Sequence, residues 1–328
     1  MPEPAVLIAP DAFKGTYSAR EVALAIARGL RNEVDICPLA DGGEGTMEVL
    51  LDALGGHAVQ APVHDPLGRP RTCRLGLLGG GSIAIVEVAE ASGLGLLSDE
   101  ERDAEAASSF GTGELIAAAV AGGAREVLIA AGGSASTDGG AGAIEAIEAA
   151  GGRGRAELTV LADVSTPFER AAATYARQKG ADPGAVARLQ ARLAEQAEAL
   201  PRDPRGVPMS GAAGGLAGGL WARYGARLMP GARCVLDAVG FDARLGQARA
   251  VVTGEGRLDA QTLEGKLIGE MAGRCARAGV PLHAVVGSCS LSPAEAAQLT
   301  LASVRLAGNP DALESAGREL SAILAPSG

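Results

Sequence analysis

The sequence predicts an α/β protein in which a five-stranded parallel sheet is assembled from both chain ends around an inserted middle segment. Three observations carry this. Two units of strand, polar glycine loop and helix open the chain within residues 6–54. Three units of short apolar strand and helix close it from residue 250 onward. The middle breaks that rhythm with consecutive strands joined by a glycine-rich turn. Short, regular βα units favour an open parallel sheet. Ligands of such sheets sit beyond the carboxyl ends of the strands.

Taken in order, Val6-Leu7-Ile8 is the first strand, and a loop carrying Asp11 and Lys14 follows it. Ser18 and Glu21 form a capping box, and Val22, Ile26 and Leu30 line one face of the helix behind it. Residues 34–37 are the second strand. Asp41-Gly42-Gly43-Glu44-Gly45-Thr46 then leads into a helix that stops at Gly55-Gly56. Residues 57–65, 71–78 and 83–89 read as strands, with a hairpin turn at 79–82. Residues 99–107 are charged surface, and 113–120 are helical.

Residues 126–131 form a buried strand, 132–142 a glycine loop, and 143–150 a helix. Another buried strand, 158–161, runs to Asp163. Val186, Leu189 and Leu193 mark a helix over 183–200, and 211–224 reads as a closely packed helix. Strands at 250–253, 281–286 and 301–306 alternate with helices over 262–278, 293–299 and 311–324. The stretch Gly254-Glu255-Gly256-Arg257 reads as a loop after the first of these strands.

Composition narrows the function. With 47% hydrophobic and 2% aromatic residues, the core is aliphatic. Forty-eight glycines without a period exclude collagen. A net charge of −10, with no long basic run, argues against nucleic acid and anionic membranes as partners. The five cysteines form no C-x-x-C pair, which fits a reducing cytoplasm rather than a disulfide framework. Residues 5–9 read as a strand rather than a leader peptide, and no stretch reads as a membrane span.

The loop Gly132-Gly133-Ser134-Ala135-Ser136-Thr137-Asp138-Gly139-Gly140-Ala141-Gly142 joins a strand end to a helix start. Backbone N–H groups can converge on an anion there, helped by the helix dipole and by the hydroxyls of Ser134, Ser136 and Thr137. Asp138 would repel a phosphate unless a metal ion lay between them. A packing turn remains the alternative for this loop on its own.

Other motifs fail. Residues 262–266 end in Gly-Lys, but Ala260 and Leu267 stand where a P-loop needs glycine and Ser or Thr. Gly254-Glu255-Gly256 would need its third glycine at Asp259 to be a dinucleotide fingerprint. His57, His64 and His283 share no ligand spacing. What remains is a set of acidic-glycine loops with a few cations: Asp11, Lys14, Asp41, Glu44, Asp138, Asp163, Lys179, Glu255, Arg257, Asp259 and Lys266. Phosphoryl transfer uses this mix: carboxylates hold magnesium, cations neutralise phosphoryl oxygens, and a carboxylate accepts the hydroxyl proton.

Several separated stretches carry a family resemblance. They are Pro10-Asp11-Ala12-Phe13-Lys14-Gly15, Ala40-Asp41-Gly42-Gly43-Glu44-Gly45-Thr46, Asp65-Pro66-Leu67-Gly68-Arg69-Pro70, Glu90-Ala91-Ser92-Gly93-Leu94 and Gly111-Thr112-Gly113-Glu114-Leu115. The glycine loop 132–142, Gln178-Lys179-Gly180-Ala181, Gly211-Ala212-Ala213-Gly214-Gly215 and Thr253-Gly254-Glu255-Gly256-Arg257, with Asp259, Gln261 and Thr262 behind, complete the set. Across nearly its whole length the chain resembles the bacterial type I glycerate kinases. It departs from them in an abbreviated stretch over 151–158, in Phe168-Glu169-Arg170-Ala171 where a longer glycine-containing segment is usual, in Ser136-Thr137 and in Ala162.

The resemblance implies two α/β domains around a cleft. One is flavodoxin-like, its parallel sheet built from both chain ends (1–65 plus 248–328); the other is an inserted α/β domain (66–247) carrying the phosphate loop. It implies ATP-dependent phosphorylation of D-glycerate with Mg2+, giving 2-phosphoglycerate, with 3-phosphoglycerate as the alternative product. A kinase for another small 2-hydroxy acid and a non-catalytic ligand sensor on the same scaffold are the other readings. The enzyme is expected to be a cytoplasmic monomer or homodimer whose partners are ATP and its small substrate.

Gly132, Gly133, Ser134, Gly139, Gly140 and Lys179 are expected at the nucleotide phosphates, and Asp138 and Asp41 at the metal. Asp11, Lys14, Asp41, Glu44, Glu255, Arg257 and Lys266 are expected around the substrate. Lys14 and Arg257 are the candidates for the glycerate carboxylate or the transferring phosphoryl group, and Asp163 or Asp259 for the base. Replacing Asp138 by Ala is expected to abolish turnover with the fold intact.

Overall fold

The computed structural model describes residues 5–259, 262 and 266–324. Gln261 and 263–265, which enter the motif comparison and the expected helix start at 262, lie outside the described residues. In chain order the elements are β1 (Ala5–Ile8), α1 (Ala19–Gly29), β2 (Val34–Ile36), α2 (Thr46–Leu54), β3 (His57–His64), β4 (Pro70–Leu78), β5 (Ile83–Glu87), α3 (Val88–Ser92) and α4 (Phe110–Ala121). Then come β6 (Glu126–Ala130), α5 (Ala141–Ala149), β7 (Glu157–Ala162), α6 (Ala171–Tyr175), α7 (Pro183–Ala199), α8 (Leu216–Tyr224), β8 (Arg227–Pro230), α9 (Gly231–Ala238) and α10 (Phe241–Leu245). The chain closes with β9 (Ala248–Leu258), α11 (Leu267–Ala278), β10 (Leu282–Cys289), α12 (Pro293–Gln298), β11 (Ser303–Leu306) and α13 (Pro310–Ile323).

Two compact units result: Met1–Asp41 with Val235–Gly328, and Gly42–Cys234. The division falls at 41/42 and 234/235, not at the expected 65/66 and 247/248. Packing explains the shift. The helix α2 lies on β4 and β5, and β3 pairs with β4 along its whole length, so 42–65 join the second unit. At the other junction α10 packs on β9 and α11.

The first unit holds a five-stranded sheet in the order β11-β10-β9-β1-β2, with every neighbouring pair parallel. Numbered by its own strands this is 2-1-3-4-5, the flavodoxin-like order. The capping box starts α1 as read, with Ser18 Oγ accepting from Glu21 N at 3.2 Å and Glu21 Oε2 accepting from Ser18 N at 2.8 Å. Val22, Ile26 and Leu30 enter the core with Val6, Ile8 and Val252.

Two sequence readings are corrected here. The strand expected at 250–253 runs from 248 to 258, so Gly254-Glu255-Gly256-Arg257 is strand and not loop. It continues because β10 pairs with it as far as Cys289 opposite Leu258. Strand alternation then sends Glu255 and Arg257 to one face and the two glycines to the other.

The second unit is a six-stranded sheet, β3-β4-β5-β6-β7-β8. The pairs β3/β4 and β4/β5 are antiparallel, and β5 to β8 are parallel. The reading missed β8, a four-residue strand containing proline, too short to show alternation. The expected strand 83–89 ends at Glu87, where α3 begins. The expected helix 211–224 is broken: Gly214 and Gly215 have φ of 66° and 92°, so a tight turn precedes α8. Among the described residues no helix is long and apolar enough to cross a membrane.

Candidate functional site

In the first unit a cavity of about 520 Å³ opens at the carboxyl edge of the sheet. All five strands deliver residues to it: Asp11 and Lys14 after β1, Asp41 after β2, Glu255 and Arg257 on β9, Gly287 and Ser288 on β10, and Gly308 after β11. Asp259 and Lys266 complete the lining, so seven charged residues of both signs share one hollow. All seven are candidates in the sequence and come from separate stretches of it.

Local bonding sets their posture. Asp11 N donates to Gly254 O at 2.8 Å, which ties the β1 loop to β9. Lys14 Nζ meets Asp41 Oδ2 at 2.7 Å, from a side chain about half exposed to a carboxylate that is buried. Glu255 Oε1 accepts from Thr262 Oγ1 at 2.9 Å, and Thr262 Oγ1 also accepts from Asp259 N at 3.3 Å. Arg257 Nε lies 3.5 Å from Asp259 Oδ2 with its side chain 68% exposed, so the guanidinium remains open to solvent.

The electrostatics is strained toward negative charge. Burial, and then the charge of Asp41, push the Asp11 carboxyl well above the usual range, against the pull of Lys14. Burial pushes Glu255 up to about 7, with Asp259 and Asp41 adding to it and the Thr262 hydrogen bond and Lys266 opposing. Perturbation of this kind by desolvation plus named charge partners marks functional cavities.

In the second unit the glycine loop splits into a tip and a base. At the tip, Gly132 is half-buried, Gly133 is exposed with φ of 71°, and Ser134 is 7% exposed. The N–H groups of these three have no acceptor among the described residues. They stand at the carboxyl end of β6, as an anion cradle requires. A Cβ on Gly132 would come 2.6 Å from Gly43 Cα, so the two glycine loops press backbone to backbone there. Glu44 lies beside that contact, its N 3.7 Å from the same point.

At the base of the loop, several of the expected ligands are engaged within the fold. Gly139 N donates to Gly214 O at 3.0 Å and Gly140 N to Asp138 Oδ1 at 3.1 Å, so neither N–H is available to a phosphate. Ser136 and Thr137 are fully buried, which turns their hydroxyls away from solvent. Asp138 Oδ2 accepts from Ser109 N at 2.8 Å, Ser109 Oγ at 2.7 Å and Gly142 N at 3.2 Å. It joins the starts of α4 and α5, and its oxygens are engaged by protein donors rather than offered to a metal. Lys179 is 3% exposed and lies inside the fold, donating to Ser134 Oγ at 2.8 Å and Ser136 O at 2.6 Å. Asp163 follows the last residue of β7 and is half-buried.

Among the described residues no group of three or more His, Cys, Asp or Glu is arranged to hold a metal. The donor set of the first unit still suits magnesium. Asp41 and Asp11 are hard oxygen donors whose mutual repulsion a dication would relieve, and Mg2+ is commonly held by one or two carboxylates plus substrate phosphates.

The sequence reading missed four residues. Glu87, at the end of β5, accepts from Met47 N at 2.7 Å and so supplies the cap that Gly45 cannot give α2. Burial pushes it up to about 7, against the backbone N–H groups of Met47 and Gly45. A lone carboxylate ending an apolar strand was its visible signal. Ser109 gave no signal before its partner Asp138 was placed. Arg192 and Gln196 donate to the carbonyls of Thr137 and Asp138, each at 2.8 Å. Their spacing beside Leu189 and Leu193 marks them as facing inward.

Comparison with known proteins extends over the whole chain. The profile described as Glycerate kinase family matches residues 6–154 and 150–326. A glycerate kinase of Halalkalibacterium halodurans is 36% identical over 86% of this chain and 85% of its own. The glycerate 2-kinase of Escherichia coli is 35% identical over 86% and 85%. A solved structure named as glycerate kinase 2 of Salmonella typhimurium LT2 superposes with a TM-score of 0.82 at 32% identity, covering 98% of both chains. With sequence and fold agreeing over nearly the whole length, this chain belongs to the glycerate kinase family.

Proposed function

We propose that this protein is a type I glycerate kinase that transfers the γ-phosphoryl group of ATP to D-glycerate, giving 2-phosphoglycerate. The observation that carries the reading is the ion content of the first unit's cavity. Lys14, Arg257 and Lys266 offer a small acid a carboxylate partner, beside Asp11, Asp41, Glu255 and Asp259. A cavity of about 520 Å³ is of ordinary size for a small ligand. A family relative carries the name glycerate 2-kinase, which favours O2 as the acceptor.

Each group then has a task. The tip N–H groups of Gly132, Gly133 and Ser134 hold phosphate oxygens of the nucleotide, where aligned backbone donors need no reorganisation. Arg257, with its guanidinium in solvent, grips the glycerate carboxylate through two parallel hydrogen bonds. Lys14, held by Asp41, and Lys266 neutralise charge on the transferring group. Asp163 accepts the acceptor hydroxyl's proton, with Asp259 the alternative carboxylate. Glu44 and Glu255 belong to the surroundings of the substrate. Asp41, with Asp11, would hold magnesium, which when bound neutralises phosphoryl oxygens. We infer a cytoplasmic enzyme, monomeric or dimeric; its cysteines carry no disulfide.

The test is ATP turnover with D-glycerate and a panel of small 2-hydroxy acids, with the product identified by NMR. Release of ADP with D-glycerate and formation of 2-phosphoglycerate is the expected result. Faster turnover with another acid, or ligand binding without any turnover, would overturn it.

A further inference from the structure

We propose that Lys179 is a positioning residue that turns the Ser134 hydroxyl into a donor aimed at the nucleotide phosphates, an inference that rests on the tip of the loop being the phosphate site. Lys179 ends a short 3₁₀ turn, Ala176–Lys179, and is 3% exposed. Its Nζ is 2.8 Å from Ser134 Oγ and 2.6 Å from Ser136 O. An ammonium donates and never accepts. Ser134 Oγ is therefore the acceptor in that bond, and its own proton points in another direction. Ser134 sits next to exposed Gly133, on the side of the loop where the tip N–H groups are uncommitted. The arrangement is a short relay from a buried cation through a hydroxyl to an anion, and such chains polarise each member.

The same lysine anchors the loop from beneath. Ser136 O, Thr137 O and Asp138 O are three consecutive carbonyls, and each accepts from a side chain: Lys179, Arg192 and Gln196 respectively. A clamp on three successive peptides fixes where the tip begins. Burial draws Lys179 down to about 7, and the charge of Asp138 pulls it back up. A phosphate near Ser134 would act in the same sense as Asp138 and hold the ammonium charged.

The experiment is a double-mutant cycle on Lys179→Met and Ser134→Ala. It reads the dissociation constant of a non-hydrolysable ATP analogue by calorimetry, together with kcat and the melting temperature. Ser134→Ala is expected to weaken the analogue about tenfold, the scale of one hydrogen bond to a charged group. Lys179→Met is expected to weaken it at least as much. The double variant should bind no worse than Lys179→Met alone, because the lysine acts through the serine. Lys179→Arg keeps a buried cationic donor and should recover part of the loss; it also serves as the cycle partner if the methionine variant does not fold. Multiplied effects in the double variant, or unchanged analogue binding in Lys179→Met, would overturn this inference and leave the phosphate site standing. Unchanged binding in Ser134→Ala would overturn it too, because that variant keeps the tip N–H groups, whereas unchanged ATP binding in Gly132→Ala would remove the phosphate site itself.

Discussion

Replacing Asp138 by Ala separates a metal ligand from a structural tie. Its carboxylate accepts four hydrogen bonds: from Ser109 N at 2.8 Å, Ser109 Oγ at 2.7 Å, Gly142 N at 3.2 Å and Gly140 N at 3.1 Å. The residue is 7% exposed, so water can repair little of this. Alanine leaves three backbone donors and a hydroxyl without their acceptor, at roughly 1–3 kcal/mol for each buried group left unsatisfied. It also removes a negative charge from just before the N-terminus of α5, worth about 0.5 kcal/mol. Allowing for relaxation, the loss is about 4 kcal/mol, and at about 2–4 °C per kcal/mol for a unit of this size the melting temperature falls by about 8–16 °C. Asp138→Asn keeps one acceptor oxygen and turns an amide donor toward another donor, so its fall is about half as large. Thermal scanning checks this, with turnover measured well below the lower transition. A melting temperature within about 2 °C of the parent combined with lost turnover would refute the structural assignment and restore Asp138 to the chemistry.

Three further outcomes follow from the same geometry. Arg257→Ala, at a side chain 68% exposed, should raise KM for glycerate by about tenfold to a hundredfold with an unchanged melting temperature; an unchanged KM would remove Arg257 from the substrate. Gly132→Ala places a Cβ 2.6 Å from Gly43 Cα and should displace the tip, weakening ATP about tenfold or more; normal ATP binding in calorimetry would show that the tip is not the cradle. Glu87→Gln keeps the cap of α2 and removes its titration. Because burial raises the folded-state value from 4.5 to about 7, the stability Glu87 contributes is present below about pH 4.5 and lost as the pH rises through 7. That amounts to about 3 kcal/mol between the two limits. The melting temperature of the parent should therefore drop relative to Glu87→Gln between pH 4 and pH 8, by roughly 6–12 °C in all, and parallel pH curves would contradict it.

What the chain discloses before folding is the placement of its chemistry, and what it withholds is commitment. The βα rhythm located Asp11 and Asp41 beyond strand ends because apolar strands and glycine loops are local patterns. It misread 254–257 as loop because two glycines look like a turn until β10 is seen pairing alongside. It divided the chain at 65 instead of 41 because only the pairing of β3 with β4 decides which sheet owns that segment.

The glycine loop shows the same limit more sharply. Of the eleven residues with the composition of an anion site, Ala135, Gly139, Gly140, Ala141 and Gly142 have their N–H groups engaged within the fold, and no local pattern distinguishes them from the rest. The partners of the base lie 29 residues away at Ser109, 43 away at Lys179 and 58 away at Gln196. A loop so divided separates its duties. The base, from Ser136 to Gly142, holds α4, α5 and α7 together, so substitutions there register first as lost stability. The tip, from Gly132 to Ser134, carries fewer fold contacts and registers as lost binding. Ser134 is the one residue tied to both, through Lys179, and its hydroxyl is where the stability of the loop and its grip on an anion become coupled.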